Sequence, residues 1–237
     1  MTKILEATNY VKKLSHNEIV KLTLEAENLI YAKEALKLIT DEQELAQIAV
    51  NSKAKAIRMH AIKRIHDNKI LYSIAMSDLH PTVRIAATNQ ITDEGTLKCL
   101  YTNNCKHWKV RELAISKIHD QEFLKQVFES KEDKSVPIKI SAIKNITDQI
   151  YLKEIVLRCS HYYRKNALKG IDDQKILSEI ALKFNYYDRN IIIRIFNKIS
   201  DDKIWSETLN KYEEKYKNNE FFYSVVKTIK SDRLSKM

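Results

Sequence analysis

The chain has 237 residues with only two glycines and two prolines, and its 41 Lys and Arg against 31 Asp and Glu give a formal charge of +10. All-β and α/β chains of this length need many more turn residues, so the composition excludes them and predicts an almost wholly helical fold. The positive balance favours acidic partners, namely nucleic acid, an acidic protein or anionic lipid. No run approaches the roughly 18 apolar residues of a membrane span. The opening MTKILEATNYVKKL has lysines inside its apolar run and no small-residue cleavage site, unlike a signal peptide. Three cysteines are an odd, sparse set, unlike a disulfide framework, so a reducing, cytoplasmic setting is expected.

In chain order, YVKKLSHNEIVKL (10–22) fits the template that follows only loosely, and residues 1–34 are expected to form a degenerate N-terminal cap. A seven-residue element then recurs: ALKLITD (35–41), AIKRIHD (61–67), ATNQITD (87–93), AISKIHD (114–120), AIKNITD (142–148), ALKGIDD (167–173) and IFNKISD (195–201). Its Asp residues, 41, 67, 93, 120, 148, 173 and 201, are 26, 26, 27, 28, 25 and 28 apart. Four places after each stands a large apolar residue: Leu45, Leu71, Leu97, Leu124, Leu152, Leu177 and Trp205. Linked positions recurring at this period mark a repeat architecture. Residues 35–201 are the regular repeats, and 202–237 a terminal helix pair rich in Tyr and Phe. The whole chain is expected to be one solenoid, with no linker.

Each unit is predicted to hold two helices. From Arg58, Arg84, Arg111, Lys139 and Arg164 to the next Asp the distance is always nine, whereas all the length variation falls between an Asp and the next basic residue. Fixed spacing marks a rigid element and variable spacing a loop. The first helix starts at the Asp, a favoured N-cap, with Glu44 in DEQELAQIA at the capping-box place. Apolar residues at +3, +4, +7 and +8, as in Ile70, Leu71, Ile74 and Ala75, make one helical stripe. The second helix starts near the Val-Arg pair, where Pro81 and Pro137 also stand, and buries Val83, Ala87, Ile91 and their equivalents. Helices of about ten residues are unstable alone, so each pair must bury its faces on the next. The last unit has Ile192 where a basic residue is expected, and Ile192 and Ile193 are read as packing beneath the terminal helices.

Over residues 31–209 these units resemble HEAT-like repeats, particularly the short bacterial kind written A-x-x-x-I-x-D-x-x-x-L-x-x-I-A with V-R-x-x-A. They are shorter than standard HEAT repeats of roughly 40–47 residues. The resemblance implies an all-α, right-handed α-solenoid of about seven or eight two-helix units whose second helices line a concave face. It also implies an Asp six residues before the Arg that ties units together, present here as Asp78 before Arg84 and Asp133 before Lys139. For function it implies less, because scaffolds, lyases, glycosylases and binders share the fold.

Three groups of residues are candidates for function. The ladder Arg58, Arg84, Arg111, Lys139 and Arg164 is read as structural, its side chains bonding loop carbonyls and the partial Asp ladder. Two or three places after the repeat's Ala come Lys37, Lys63, Arg64, Lys117, Lys144, Lys169 and Lys198, a run that Asn89 and Gln90 interrupt. These are the expected partner-binding residues, suited to an acidic protein or to the phosphates of nucleic acid. Tyr162, Tyr186 and Tyr187 are expected to be exposed beside them, as in hot spots and stacking platforms, while Tyr163 and Trp108 fall on or beside core positions.

Asp78, His80, Cys105 and His107 have zinc-ligand chemistry, but the repeat accounts for their spacing without a metal. No metal or cofactor is expected. Catalysis has little support, because the glycine-rich phosphate loop, the nucleophile elbow and HExxH are all missing. The expected function is a non-catalytic scaffold that binds a macromolecular partner, a protein in the first place, through a basic concave face. The alternative is a nucleic-acid-binding protein related to the HEAT-like alkylpurine DNA glycosylases. WKVRELAI (108–115) resembles their Trp/Arg-bearing helix start, with Arg111 matching the phosphate-contacting Arg, but their aromatic motif with a catalytic Asp has no counterpart.

Overall fold

A computed structural model describes residues 2–103, 105–184, 188–217 and 220–235. Among them there are 17 α-helices and no strand, an all-α repeat-like fold in which successive helices pack on one another. Packing divides the chain into two compact units, 1–118 and 119–237.

Unit 1 holds α1 (Thr2–Val11), α2 (His16–Glu25), α3 (Leu29–Leu38), α4 (Glu42–Asn51), α5 (Lys55–Ile62), α6 (Asn68–Ser77), α7 (Pro81–Gln90), α8 (Glu94–Thr102) and α9 (Trp108–Ile115). The odd-numbered helices stack in one layer, α1 on α3, α3 on α5, α5 on α7 and α7 on α9. The even-numbered helices stack in a second, α2 on α4, α4 on α6 and α6 on α8. Unit 2 holds α10 (Gln121–Glu129), α11 (Val136–Asn145), α12 (Gln149–Arg158), α13 (His161–Gly170), α14 (Gln174–Lys183), α15 (Arg189–Lys198), α16 (Asp202–Tyr216) and α17 (Glu220–Leu234). Here α12, α14 and α16 stack in sequence, while α11 packs on α13 and α15 on α17.

The N-caps follow from the sequence. Each of Asp41, Asp67, Asp93, Asp120, Asp148, Asp173 and Asp201 precedes a helix and accepts a hydrogen bond from a first-turn N–H. A cap of this kind stabilises a helix by about 1 kcal/mol. Glu44 does not close the box on Asp41, because its carboxylate turns instead to His16 Nε2 at 2.5 Å. The capping box lies one unit earlier, where the Ser15 N–H and hydroxyl donate to Glu18 at 2.8 and 2.6 Å. Ser15 stands 26 residues before Asp41, so α2 is the first helix of a unit whose sequence has drifted.

The core is the predicted stripe. Ala35, Ala61, Ala87, Ala114, Ala142 and Ala167 are fully buried, as small residues must be where helix backbones approach closely. Leu71, Leu124, Leu152 and Leu177 are fully buried opposite them. Ile192 is buried and Ile193 half-buried on α15, the helix that packs on α17. The last pair closes over an aromatic cluster in which Tyr212 meets Phe196 at 5.8 Å and Phe222 at 5.4 Å between ring centres.

Candidate functional site

The five ladder residues all turn toward backbone carbonyls at or just past the end of a first helix. Arg58 Nη1 donates to the Ser52 carbonyl at 2.8 Å, Arg111 Nη1 to Cys105 at 2.6 Å and Lys139 Nζ to Ser130 at 2.6 Å. Arg164 Nε donates to the Val156 carbonyl at 3.0 Å, and Arg84 Nε to that of Asp78. Arg58 and Arg164 also meet a carboxylate of the following unit. Arg58 Nε lies 3.0 Å from Asp78 Oδ2 in a largely buried pair, and Arg164 Nη1 lies 3.4 Å from Asp188 Oδ1. The side chain of Asp78 thus reaches back to Arg58, not forward to Arg84.

The second-helix cations separate into two sets that the sequence pools. Those three places after the repeat's Ala, or after Ile195 in its place, lie across the end of the preceding second helix. Arg64 donates to the carbonyls of Leu36 and Ile39, Lys117 to those of Thr88, Asn89 and Ile91, and Lys198 to those of Lys169 and Ile171. Helix ends leave carbonyls without intrahelical partners and carry partial negative charge, so a cation there is doubly favoured. Arg233 of α17 plays the same part for Ile199 and Ser200. Burial lowers the Lys117 ammonium below the usual lysine range.

Lysines two places after the Ala point elsewhere, because one residue turns the side chain by about 100°. Lys37, Lys63, Lys144 and Lys169 are exposed. Lys37 holds Glu34 at 2.6 Å. Lys63, Lys144 and Lys169 make no ion pair among the described residues. In unit 1 the set deepens into two adjoining hollows that share His60, one also lined by Lys33, Glu34, Lys37 and Arg64, the other by Met59 and Lys63. Loss of water around His60, then the charges of Lys33 and Lys63, holds its imidazole below the usual histidine range. An anion is the ligand such a hollow suits.

Tyr162 is 69% exposed and Trp108 48%, the latter with Lys109 Nζ 5.3 Å from its ring centre. Tyr163 packs edge-on against Phe128 at 5.5 Å. Tyr186 and Tyr187 lie outside the described residues. Of the zinc-type residues, Asp78 is engaged by Arg58 and Cys105 is buried with its thiol toward the Ala75 carbonyl. Among the described residues no group of three His, Cys, Asp or Glu side chains is placed to hold a metal ion. Glu112 is held by Lys109. No helix among the described residues is long and apolar enough to cross a membrane.

The residue after the N-cap Asp clamps the corresponding loop of the next unit. Glu42 accepts from the His66 and Asp67 N–H groups, Asn68 from Thr92 and Asp93, and Gln121 from Thr147. Gln149 does so for Asp172 and Asp173, and Gln174 for Ser200 and Asp201. The signal was present, since Glu42, Asn68, Glu94, Gln121, Gln149, Gln174 and Asp202 are all polar.

A comparison with models of known protein families gives no match, and neither does one with curated proteins. Among solved structures, a chain from "Computational Design of Self-Assembling Cyclic Protein Homooligomers" is 14% identical over 98% of this chain and 89% of its own, with a TM-score of 0.13. So loose a superposition establishes no shared fold.

Proposed function

We propose that the chain is a non-catalytic HEAT-like scaffold that binds an acidic protein through the exposed lysines of its second helices. The observation that supports this is the division of the cations. Arg64, Lys117 and Lys198 are spent on helix ends, whereas Lys63, Lys144 and Lys169 extend into solvent at one register of the repeat. A fold that needs a cation at one position has no internal use for the neighbouring one. Recurrent, unspent positive charge on a helix face is what electrostatic recognition uses.

A second reading, nucleic-acid binding, is favoured by Trp108 and Tyr162, exposed aromatics beside Lys109 and His161. The test is fluorescence anisotropy with an acidic peptide and with single-stranded and duplex oligonucleotides of about 20 nucleotides at low and physiological salt. The peptide is expected to keep its affinity at physiological salt and the oligonucleotides to lose theirs. A steep logarithmic salt slope with persisting oligonucleotide affinity would transfer the conclusion to nucleic acid. Reversing Lys37, Lys63, Lys144 and Lys169 to Glu should weaken whichever ligand binds by more than about tenfold, and retained affinity would overturn the site.

A further inference from the structure

Two clefts occupy the same place in the repeat, one in each unit, and they differ in the group that faces the ladder cation. In unit 1 a cleft of about 380 Å³ lies over Arg58 between the ends of α4 and α6. In unit 2 a cleft of about 410 Å³ lies over Lys139 between the ends of α10 and α12. The equivalence is specific. Arg58 donates to the carbonyl of Ser52, the residue that ends α4, and Lys139 to that of Ser130, the residue that ends α10. On the far wall, Asp78 and Cys159 each stand eleven residues after their N-cap Asp, and each N–H donates to an isoleucine carbonyl, Ile74 or Ile155, at 3.0 Å.

The unit 1 cleft supplies its own anion. Both oxygens of Asp78 face Arg58, at 3.0 and 3.4 Å. In the unit 2 cleft that place holds the Cys159 thiol, which burial, then the nearby Glu129, keeps protonated by pushing its pKa up. Glu154 in the lining pairs with Arg158 at 2.8 Å, the Glu129 carboxylate accepts from the Tyr151 hydroxyl at 2.7 Å, and neither forms an ion pair with Lys139 among the described residues. Among the described residues Lys139 has one protein acceptor for three donors, beside the ring of Phe128 at 5.9 Å. Phe128, Ile155 and Tyr163 form an apolar wall beside it.

We propose that the unit 2 cleft binds an external carboxylate with an apolar or aromatic body, the carboxylate sitting at Lys139 as Asp78 sits at Arg58, and the body on Phe128, Ile155 and Tyr163. A small monocarboxylic acid and the free C-terminus of a protein ending in an apolar residue share this chemistry. The cleft is lined from the C-terminal ends of α10 and α12 and the first turns of α11 and α13, and it uses none of Lys37, Lys63, Lys144 and Lys169, so it stands or falls independently of the reading above.

The test uses the full chain and 3-phenylpropionate, with 3-phenylpropanamide as its uncharged counterpart, in a ¹H–¹⁵N titration. Saturable shifts around Ile155, Cys159 and Tyr163 are expected, with the acid binding about tenfold more tightly than the amide. Cys159→Asp installs the carboxylate that unit 1 has, so it should abolish acid binding and raise the melting temperature. Lys139→Met should also abolish binding, and Lys139→Arg should retain it. A peptide ending in Phe with a free carboxylate, compared with its amidated form, distinguishes the two sources: tighter binding than phenylpropionate identifies a chain terminus, weaker binding a small acid. Equal affinity for acid and amide, no saturable shift, or unchanged affinity in Cys159→Asp would overturn the proposal. The Lys37, Lys63, Lys144 and Lys169 reversal should leave this binding intact.

Discussion

At Lys117 a single ammonium covers the carbonyls of Thr88, Asn89 and Ile91 at the C-terminal end of α7. Removing it leaves those acceptors to water and takes a cation from a helix C-terminus. Lys117→Met is therefore expected to destabilise the fold by about 1.5–3 kcal/mol in urea unfolding. Lys63→Met, in solvent, should change stability by less than about 0.5 kcal/mol. Asp148 offers a titratable case. The Tyr151 N–H, then Lys125, holds its carboxyl below the usual range. A depressed folded-state pKa stabilises fully above the unfolded value, about 4, and that stabilisation is lost as pH falls through the folded one. Asp148→Asn retains an acceptor for the N-cap but not the charge, so its stability should decline less between neutral pH and pH ~3 than that of the parent protein.

On the scale of helices, two kinds of junction hold successive pairs together, and only one was legible in the residues. The Asp N-caps could be read directly because one residue type acts on its own helix, within three residues, at every repeat. The clamp one place later could not, because Glu, Asn and Gln share it and the partner N–H lies 23 to 26 residues away for Gln149 and Gln121. The lysine stripe was legible as charge but not as two sets, since positions one residue apart look alike in a list and point about 100° apart on a helix. The tie from Arg58 to Asp78 was visible in outline, though the spacing pairs Asp78 with Arg84. Gln149 shows what the clamp contributes: its amide accepts from Asp172 and Asp173 and donates to the Thr147 and Gly170 carbonyls. Gln149→Ala is expected to cost about 1–2 kcal/mol, read as a shift of the urea midpoint, whereas Gln149→Glu should retain the accepting half.

Across each compact unit, helices touch their neighbours in the stack and few others, so stability is close to a sum over adjacent pairs. Damage should stay local. Asp67→Ala removes the cap of α6. In native-state hydrogen exchange it is expected to lower protection in α6 and in α4, α7 and α8, while α1 changes little. Uniform loss of protection through residues 1–118 would show instead that unit 1 opens as one body. Small residues at the stack centre set the helix spacing by the same logic. Ala87→Leu should destabilise by about 1–3 kcal/mol through overpacking.

The helix-end cations also give synthesis a direction. The side chain that covers the end of a second helix is encoded 25 to 29 residues after the carbonyls it covers, as with Arg64 over Ile39 and Lys117 over Thr88. A chain emerging from the ribosome N-terminus first therefore presents the ends of α3, α7, α13 and α15 before the cation that covers each has been translated. For these helices a later pair finishes an earlier one, and α17 delivers the last such cover when Arg233 reaches the carbonyls of Ile199 and Ser200.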